Sequence, residues 1–198
     1  MRFYVCIVTL LFACITDKNN NYATSEPTGE LALAIKQEIQ AISNASQLQQ
    51  YLEKIHACDQ LYRTEEKRIL SDFGHDSPEY DQIWEIITQI DLDNYFRIQA
   101  VLDEFGYPEI DSVGETAAAT PWLIIHHSPF YEHRVSNFNV LFNAYQKGDL
   151  GKNAFDLFLT RMYSMKYHKS FRMPSPYKIE AKIDSLIQIL ELEKLVTN

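Results

Sequence analysis

A chain of 198 residues, 46% of them hydrophobic and 23% charged, has the length and apolar content for a folded domain with a sizeable core. Lys+Arg number 18 and Asp+Glu 27, a formal net charge of −9. That balance disfavours a nucleic-acid binder, which needs basic patches to neutralise phosphate, and gives no reason to expect electrostatic docking on anionic lipid.

The first fourteen residues carry the most specific signal. Arg2 begins a short basic region, an apolar run extends from Phe3 to Phe12, and Leu11, Phe12, Ala13 and Cys14 end it. A membrane-spanning helix needs about 20 apolar residues. Asp17, Lys18 and three asparagines cut this run short, so it reads as a cleaved export segment. The small Ala13 directly before Cys14 suits a signal peptidase, although Phe12 is bulkier than the residue usual at its place. The expectation is a bacterial lipoprotein signal over 1–13 with Cys14 as lipid acceptor. Each buried acyl methylene then contributes about 0.8 kcal/mol to anchoring. The plainer alternative is an ordinary secretory signal with an incidental cysteine. Residues 14–29 are polar, Asn-rich and contain Pro27, a composition that acts as a tether. Cys6 departs with the signal and Cys14 carries lipid, which leaves Cys58 as the one thiol and no internal disulfide.

From residue 30 onward helical periodicity dominates. Leu31, Ile35, Ile39 and Ile42 step at helical spacing. Ser46 with Gln49 reads as a capping box, and Leu48, Leu52, Ile55 and Tyr62 carry the next stripe. Asp76, Ser77 and Pro78 form a start signal for a helix through Tyr80, Trp84, Ile87, Tyr95, Ile98, Leu102 and Phe105. Gly106 stops it, with Pro108 beyond. Ser112 and Glu115 suggest another capping box before Ala117, Ile124 and Ile125, with Pro121 kinking this helix or restarting it at Thr120. Val135, Phe138, Leu141, Phe142 and Tyr145 predict one helix closed by Lys147 and Gly148. Phe155, Phe158, Leu159 and Met162 predict another. A loop follows from Lys169 to Tyr177, and Ile179, Ile183, Leu186, Ile187 and Leu190 make a last amphipathic helix. Strand-like alternation is nearly absent. The expected class is all-α: an irregular bundle of about six to eight helices, forming a single domain over 30–198.

Polar residues interrupt these stripes. After Leu48, Leu52 and Ile55 the stripe reaches Asp59, with Arg63 one turn later. After Trp84 and Ile87 it reaches Asp91 and Asn94. Val113, Ala117, Thr120 and Ile124 lead to His127, and Arg161 sits beside the apolar face of its own helix. A buried charge costs several kcal/mol unless paired, so Asp59, Arg63, Asp91, Asn94, His127 and Arg161 are expected to form one polar cluster between helices. The bland reading, in which such pairs set helix register and bind nothing, carries more weight. The functional reading takes His127 as general base, Asp59 or Asp91 as its orienter and arginine for an anionic group.

Other candidates are weaker. His126, His127 and His133 lack a recognised ligand spacing, as do His56 and Cys58, so no metal site and no cofactor is expected. Cys58 reads as an inert thiol, and no G-x-S-x-G elbow appears. Trp122 with Ser128, Pro129, Phe130 and Tyr131 reads as a groove lining or, more often, as core.

The same positions carry a resemblance. Asp59 and Gln60 with Arg63, Asp91 with Asn94, Phe105-Gly106-Tyr107-Pro108, Val113-Gly114 followed by alanines, and His126-His127 occur in that order. This resembles a bacterial family of unknown function, met in Bacteroidetes lipoproteins and secreted proteins, whose pattern runs D-Q-x-x-R, D-x-x-N, G-W-P, V-G, Q-H and D-R. The match covers about Tyr51 to Arg161. It implies an exported α-helical domain with no established activity. Candidate binding positions are Arg63, Asn94 and Arg161 from the interrupted stripes, with Gln60 and His126 beside them in the motifs. This chain departs from the pattern at His126, where the family has Gln, and at Thr160, where it has Asp. It also departs at Phe171 to Ser175, where a Tyr-Gly-Thr-like segment is usual. The resulting expectation is a lipid-anchored protein of the bacterial cell envelope, periplasmic or outer-membrane associated, held to the membrane through Cys14. It would act as a binding or scaffolding module for a protein or small molecule. The alternative is a small hydrolase or transferase.

Overall fold

A computed structural model of the chain describes residues 26–27 and 29–196. The export-like segment, Cys14 and most of the tether lie outside the described residues. Among those described, the chain is all-α and no strand occurs. Ten helices run in order: α1 Gly29–Gln40, α2 Ala45–Phe73, α3 Pro78–Phe105, α4 Ile110–Val113, α5 Glu115–His127, α6 Tyr131–Ser136, α7 Phe138–Lys147, α8 Lys152–Tyr167, α9 Ile179–Leu190 and α10 Glu193–Val196. The count exceeds the expected six to eight because α4, α6 and α10 are one or two turns long, too short to leave a stripe in the sequence. Contacts group the chain into two compact units, Met1–Glu104 and Phe105–Asn198, where the sequence reading treats 30–198 as one domain.

The first unit holds α1, α2 and nearly all of α3. Leu31, Ile35 and Ile39 are the buried face of α1. Asn44, not Ser46, caps α2: its side chain accepts from the Gln47 backbone N–H at 3.0 Å, while Gln47 Oε1 accepts from the Ser43 backbone N–H at 2.8 Å. The reciprocal logic of a capping box holds, shifted toward the N-terminus. Ser77 starts α3 as predicted, its hydroxyl accepting from the Tyr80 N–H at 3.1 Å. Tyr62, Tyr80, Ile83, Ile87 and Ile90 form an apolar cluster joining α2 to α3. Each such fully buried aliphatic side chain contributes about 1.5–3 kcal/mol. Trp84 is not part of that face; it is exposed, and Ile83 takes the inward place.

The second unit begins where Gly106, at φ +72°, ends α3. Ser112 lies inside α4 rather than capping α5. Gly114, at φ +82°, separates the two helices, and α5 has no side-chain cap. Pro121 neither breaks nor restarts α5. It removes one backbone donor, and the neighbouring Thr120 hydroxyl donates to the Thr116 carbonyl at 2.8 Å. Asn137 divides the helix expected through Val135 and Phe138 into α6 and α7. An aromatic stack fills the core, with Tyr145 4.8 Å and Phe158 6.1 Å from Phe155 between ring centres. Helix α8 packs most extensively on α9.

Candidate functional site

Three of the six expected polar positions, Asp59, Arg63 and Asp91, are joined in the first unit, and Asn94 stands one helical turn from Asp91. Asp59 and Arg63, one helical turn apart, share one face of α2. Asp91 and Asn94 share one face of α3. Arg63 Nη2 donates to both carboxylate oxygens of Asp91, at 2.5 and 2.6 Å, and Arg63 Nε lies 3.7 Å from Asp59 Oδ1. Gln60, exposed on the next position of α2, donates to Asp59 Oδ2 at 2.7 Å. Both aspartates are buried, and the Arg63 side chain is 17% exposed. The guanidinium is thus a tie between two helices, largely withdrawn from water. His127 ends α5 half-buried and Arg161 lies exposed on α8, both in the second unit.

Sequence reasoning missed the next layer of this seam. Glu38 of α1 accepts from two neighbours at one oxygen: Tyr51 OH donates at 2.8 Å and Arg97 Nε at 3.1 Å. Arg97 also donates to the Asp93 carbonyl at 3.3 Å. Burial, then the hydrogen bond to Glu38 and its charge, push the Tyr51 hydroxyl well above the ordinary tyrosine range, against the opposing pull of Arg97. The spacing did hold the clue. Arg97 follows Asn94 by three residues, and Tyr51 precedes Leu52 on the buried stripe, so each extends a face already marked as inward. Residues 91–98 are all buried. A helix wrapped on every side is usually apolar; this one carries Asp91, Asp93, Asn94 and Arg97.

A cavity of about 30 Å³ opens along the seam, lined by Glu38, Tyr51, Lys54, Cys58, Asn94 and Arg97, with Ile55 as an apolar wall. Asn94 Nδ2 is buried there without a hydrogen-bond partner. A space of this size suits one or two water molecules and falls far below the roughly 300–1,000 Å³ of metabolite pockets. A second hollow, shallow and open, of about 530 Å³, lies beside the start of α3 between His75, Tyr80, Asp81, Trp84, Glu85 and Thr88.

In the second unit a buried guanidinium bonds to backbone carbonyls. Arg134 is fully buried; it donates to the Phe130 carbonyl at 3.1 Å and, by a shorter bond, to the His126 carbonyl. It therefore holds the end of α5 against α6. Ser128 Oγ sits 2.6 Å from His133 Nδ1. That pairing has the form of a nucleophile and base, but Ser128 is fully buried and its oxygen also accepts from the Phe130 N–H at 3.4 Å. It is a turn fastening. Burial, with the Arg134 charge second, lowers the His133 pKa to about 4 against a weaker opposing effect of Glu132. His126 is buried and stacks on Trp122 at 5.4 Å.

Comparison with protein-family models, with curated proteins and with solved structures finds no match to this chain.

Proposed function

We propose that this protein is a lipid-anchored component of the bacterial cell envelope, periplasmic or outer-membrane associated, acting as a binding or scaffolding module. The address rests on the export-like run before Cys14, on the polar tether after it, and on the resemblance to exported α-helical domains. No helix among the described residues is long and apolar enough to cross a membrane.

One observation weighs most for binding or scaffolding over a hydrolase or transferase. Arg63 is paired with Asp91 and Asp59, Arg97 is paired with Glu38, and the cavity beside Arg97 and Glu38 is about 30 Å³. Both oxygens of Asp91 face Arg63, which makes Asp91 a poor base and a good fastening. Buried polar pairs of this kind set which residues of two helices face each other.

Two measurements test the proposal. Palmitate labelling of the wild type against Cys14→Ala is expected to lose the label; equal labelling removes the anchor. Chromogenic acyl-ester and phosphoester substrates are expected to give no turnover that depends on Asp91. Turnover abolished by Asp91→Asn at an unchanged melting temperature would replace the binding module with an enzyme.

A further inference from the structure

The net charge of −9 conceals a stretch of opposite character. Between residues 157 and 179 the chain carries Arg161, Lys166, Lys169, Arg172 and Lys178, with His168, and no Asp or Glu. The acids that bound this stretch are already matched by lysines lying outside it: Asp156 by Lys182 at 2.8 Å and Glu180 by Lys152 at 2.8 Å.

The stretch folds into a local patch where α8 ends. Lys169 Nζ stands 5.9 Å from the Tyr163 ring centre and 5.8 Å from that of Tyr167. Lys166 Nζ stands 5.5 Å from Tyr167. Tyr163 packs on Tyr167 at 4.8 Å and on Phe171 at 5.1 Å. Tyr167 OH donates to the Ile189 carbonyl at 2.9 Å. That bond places an exposed tyrosine beside the exposed Ile189. Arg172, Tyr177 and Lys178 continue the exposed surface through the loop to α9. Cations held over tyrosine rings, with exposed apolar side chains among them, suit a lipid–water interface. There the ammonium and guanidinium groups meet headgroup phosphates and tyrosine rings settle at headgroup depth.

We infer that this basic, tyrosine-rich surface of the second unit docks on an anionic phospholipid bilayer. Lys166 Nζ also donates to the Leu190 carbonyl at 3.3 Å, so Glu191 adjoins the patch, but Glu191 is faced by Lys194 at 3.8 Å; more distant charge is screened beyond about 8–10 Å. The lipid anchor proposed above would raise the local concentration of the patch at the membrane, but docking does not depend on it.

The full chain carrying Cys14→Ala, which cannot be acylated, separates the two. It is expected to float with vesicles of phosphatidylglycerol in phosphatidylcholine, to release at high salt and to ignore phosphatidylcholine alone. Each exposed cation near the surface is worth about fivefold in binding. Losing three cations alone is worth on the order of 100-fold, so Lys169→Glu, Arg172→Glu and Lys178→Glu together, which also add three anions, are expected to weaken flotation by at least about 100-fold. Reversal of Lys36, Lys67 and Lys147 serves as the charge-matched control and is expected to act far less. Tyr177→Ser alone is expected to weaken it by a smaller factor, and circular dichroism checks that each variant folds. Equal loss in both triple variants would overturn the inference, as would no flotation by the unacylated chain. Capture by dextran sulfate without flotation would assign the patch to an anionic polysaccharide instead. Failure of palmitate labelling would remove the anchor and leave the docking result standing.

Discussion

The two units carry charge differently. Met1–Glu104 has 8 Lys/Arg against 17 Asp/Glu, so 8 − 17 = −9, whereas Phe105–Asn198 has 10 of each. The first unit answers buried charge with opposite charge: Arg63 on Asp91, Arg97 on Glu38. The second answers the buried Arg134 with the His126 and Phe130 carbonyls. A charge–charge tie fastens two long helices side by side at chosen turns. A guanidinium on carbonyls fastens a helix end, where unsatisfied C=O groups already wait. Where α8 and α9 lie side by side the second unit also uses a charge pair, Lys182 on Asp156 at 2.8 Å, so the difference lies at its broken helix ends.

Removing a fastening from each unit sharpens this contrast. Arg134→Ala is expected to have the largest effect, about 3–5 kcal/mol in urea unfolding, because it leaves a cavity and takes the guanidinium from the buried His126 carbonyl and the half-buried Phe130 carbonyl. A loss below about 1 kcal/mol would show that water replaces the guanidinium freely. Asn44→Ala removes the α2 cap and is expected to cost about 1 kcal/mol. Asn94→Leu, in contrast, is expected to change stability by less than about 1 kcal/mol, since the amide nitrogen it deletes is buried without a partner. A cost above about 2 kcal/mol would mean that Asn94 holds something in solution. A pH dependence is expected from His133 in the second unit. The folded His133 pKa, about 4, lies below the ordinary 6.5, so the unfolded chain takes up the proton first. The stabilisation is complete above pH 6.5 and declines as pH falls toward 4. His133→Gln should flatten stability against pH over that window; an unchanged slope would locate the titration elsewhere.

Which fastenings could be read in advance follows from the same contrast. Asp59, Arg63, Asp91 and Asn94 stand on regular stripes of long helices, and their polarity at inward positions marked them. Glu38, Tyr51 and Arg97 border those stripes, each one position before Ile39, Leu52 or Ile98, where spacing alone does not tell a seam from solvent. Arg134 left no pattern, since α6 is too short for periodicity and its partners are backbone atoms without side-chain identity. Helix ends fared unevenly for a related reason. Ser77 and Gly106 acted as signalled, while the box expected at Ser46 stands two residues earlier at Asn44 and the one expected at Ser112 does not form. Pro121 stayed inside its helix because a buried helix held by its neighbours can lose one backbone bond. The balanced charge of the second unit also hid a basic surface that a whole-chain sum averages away.

The most direct measurement is a double-mutant cycle on Arg63 and Asp91, using Arg63→Met, Asp91→Leu and the pair, followed by urea unfolding. Each single change should cost about 2–4 kcal/mol, discounted from the fully buried case for the partial exposure of Arg63. The double variant should recover most of that loss, with a coupling above about 1 kcal/mol. Strictly additive losses would contradict a seam that holds the two helices together.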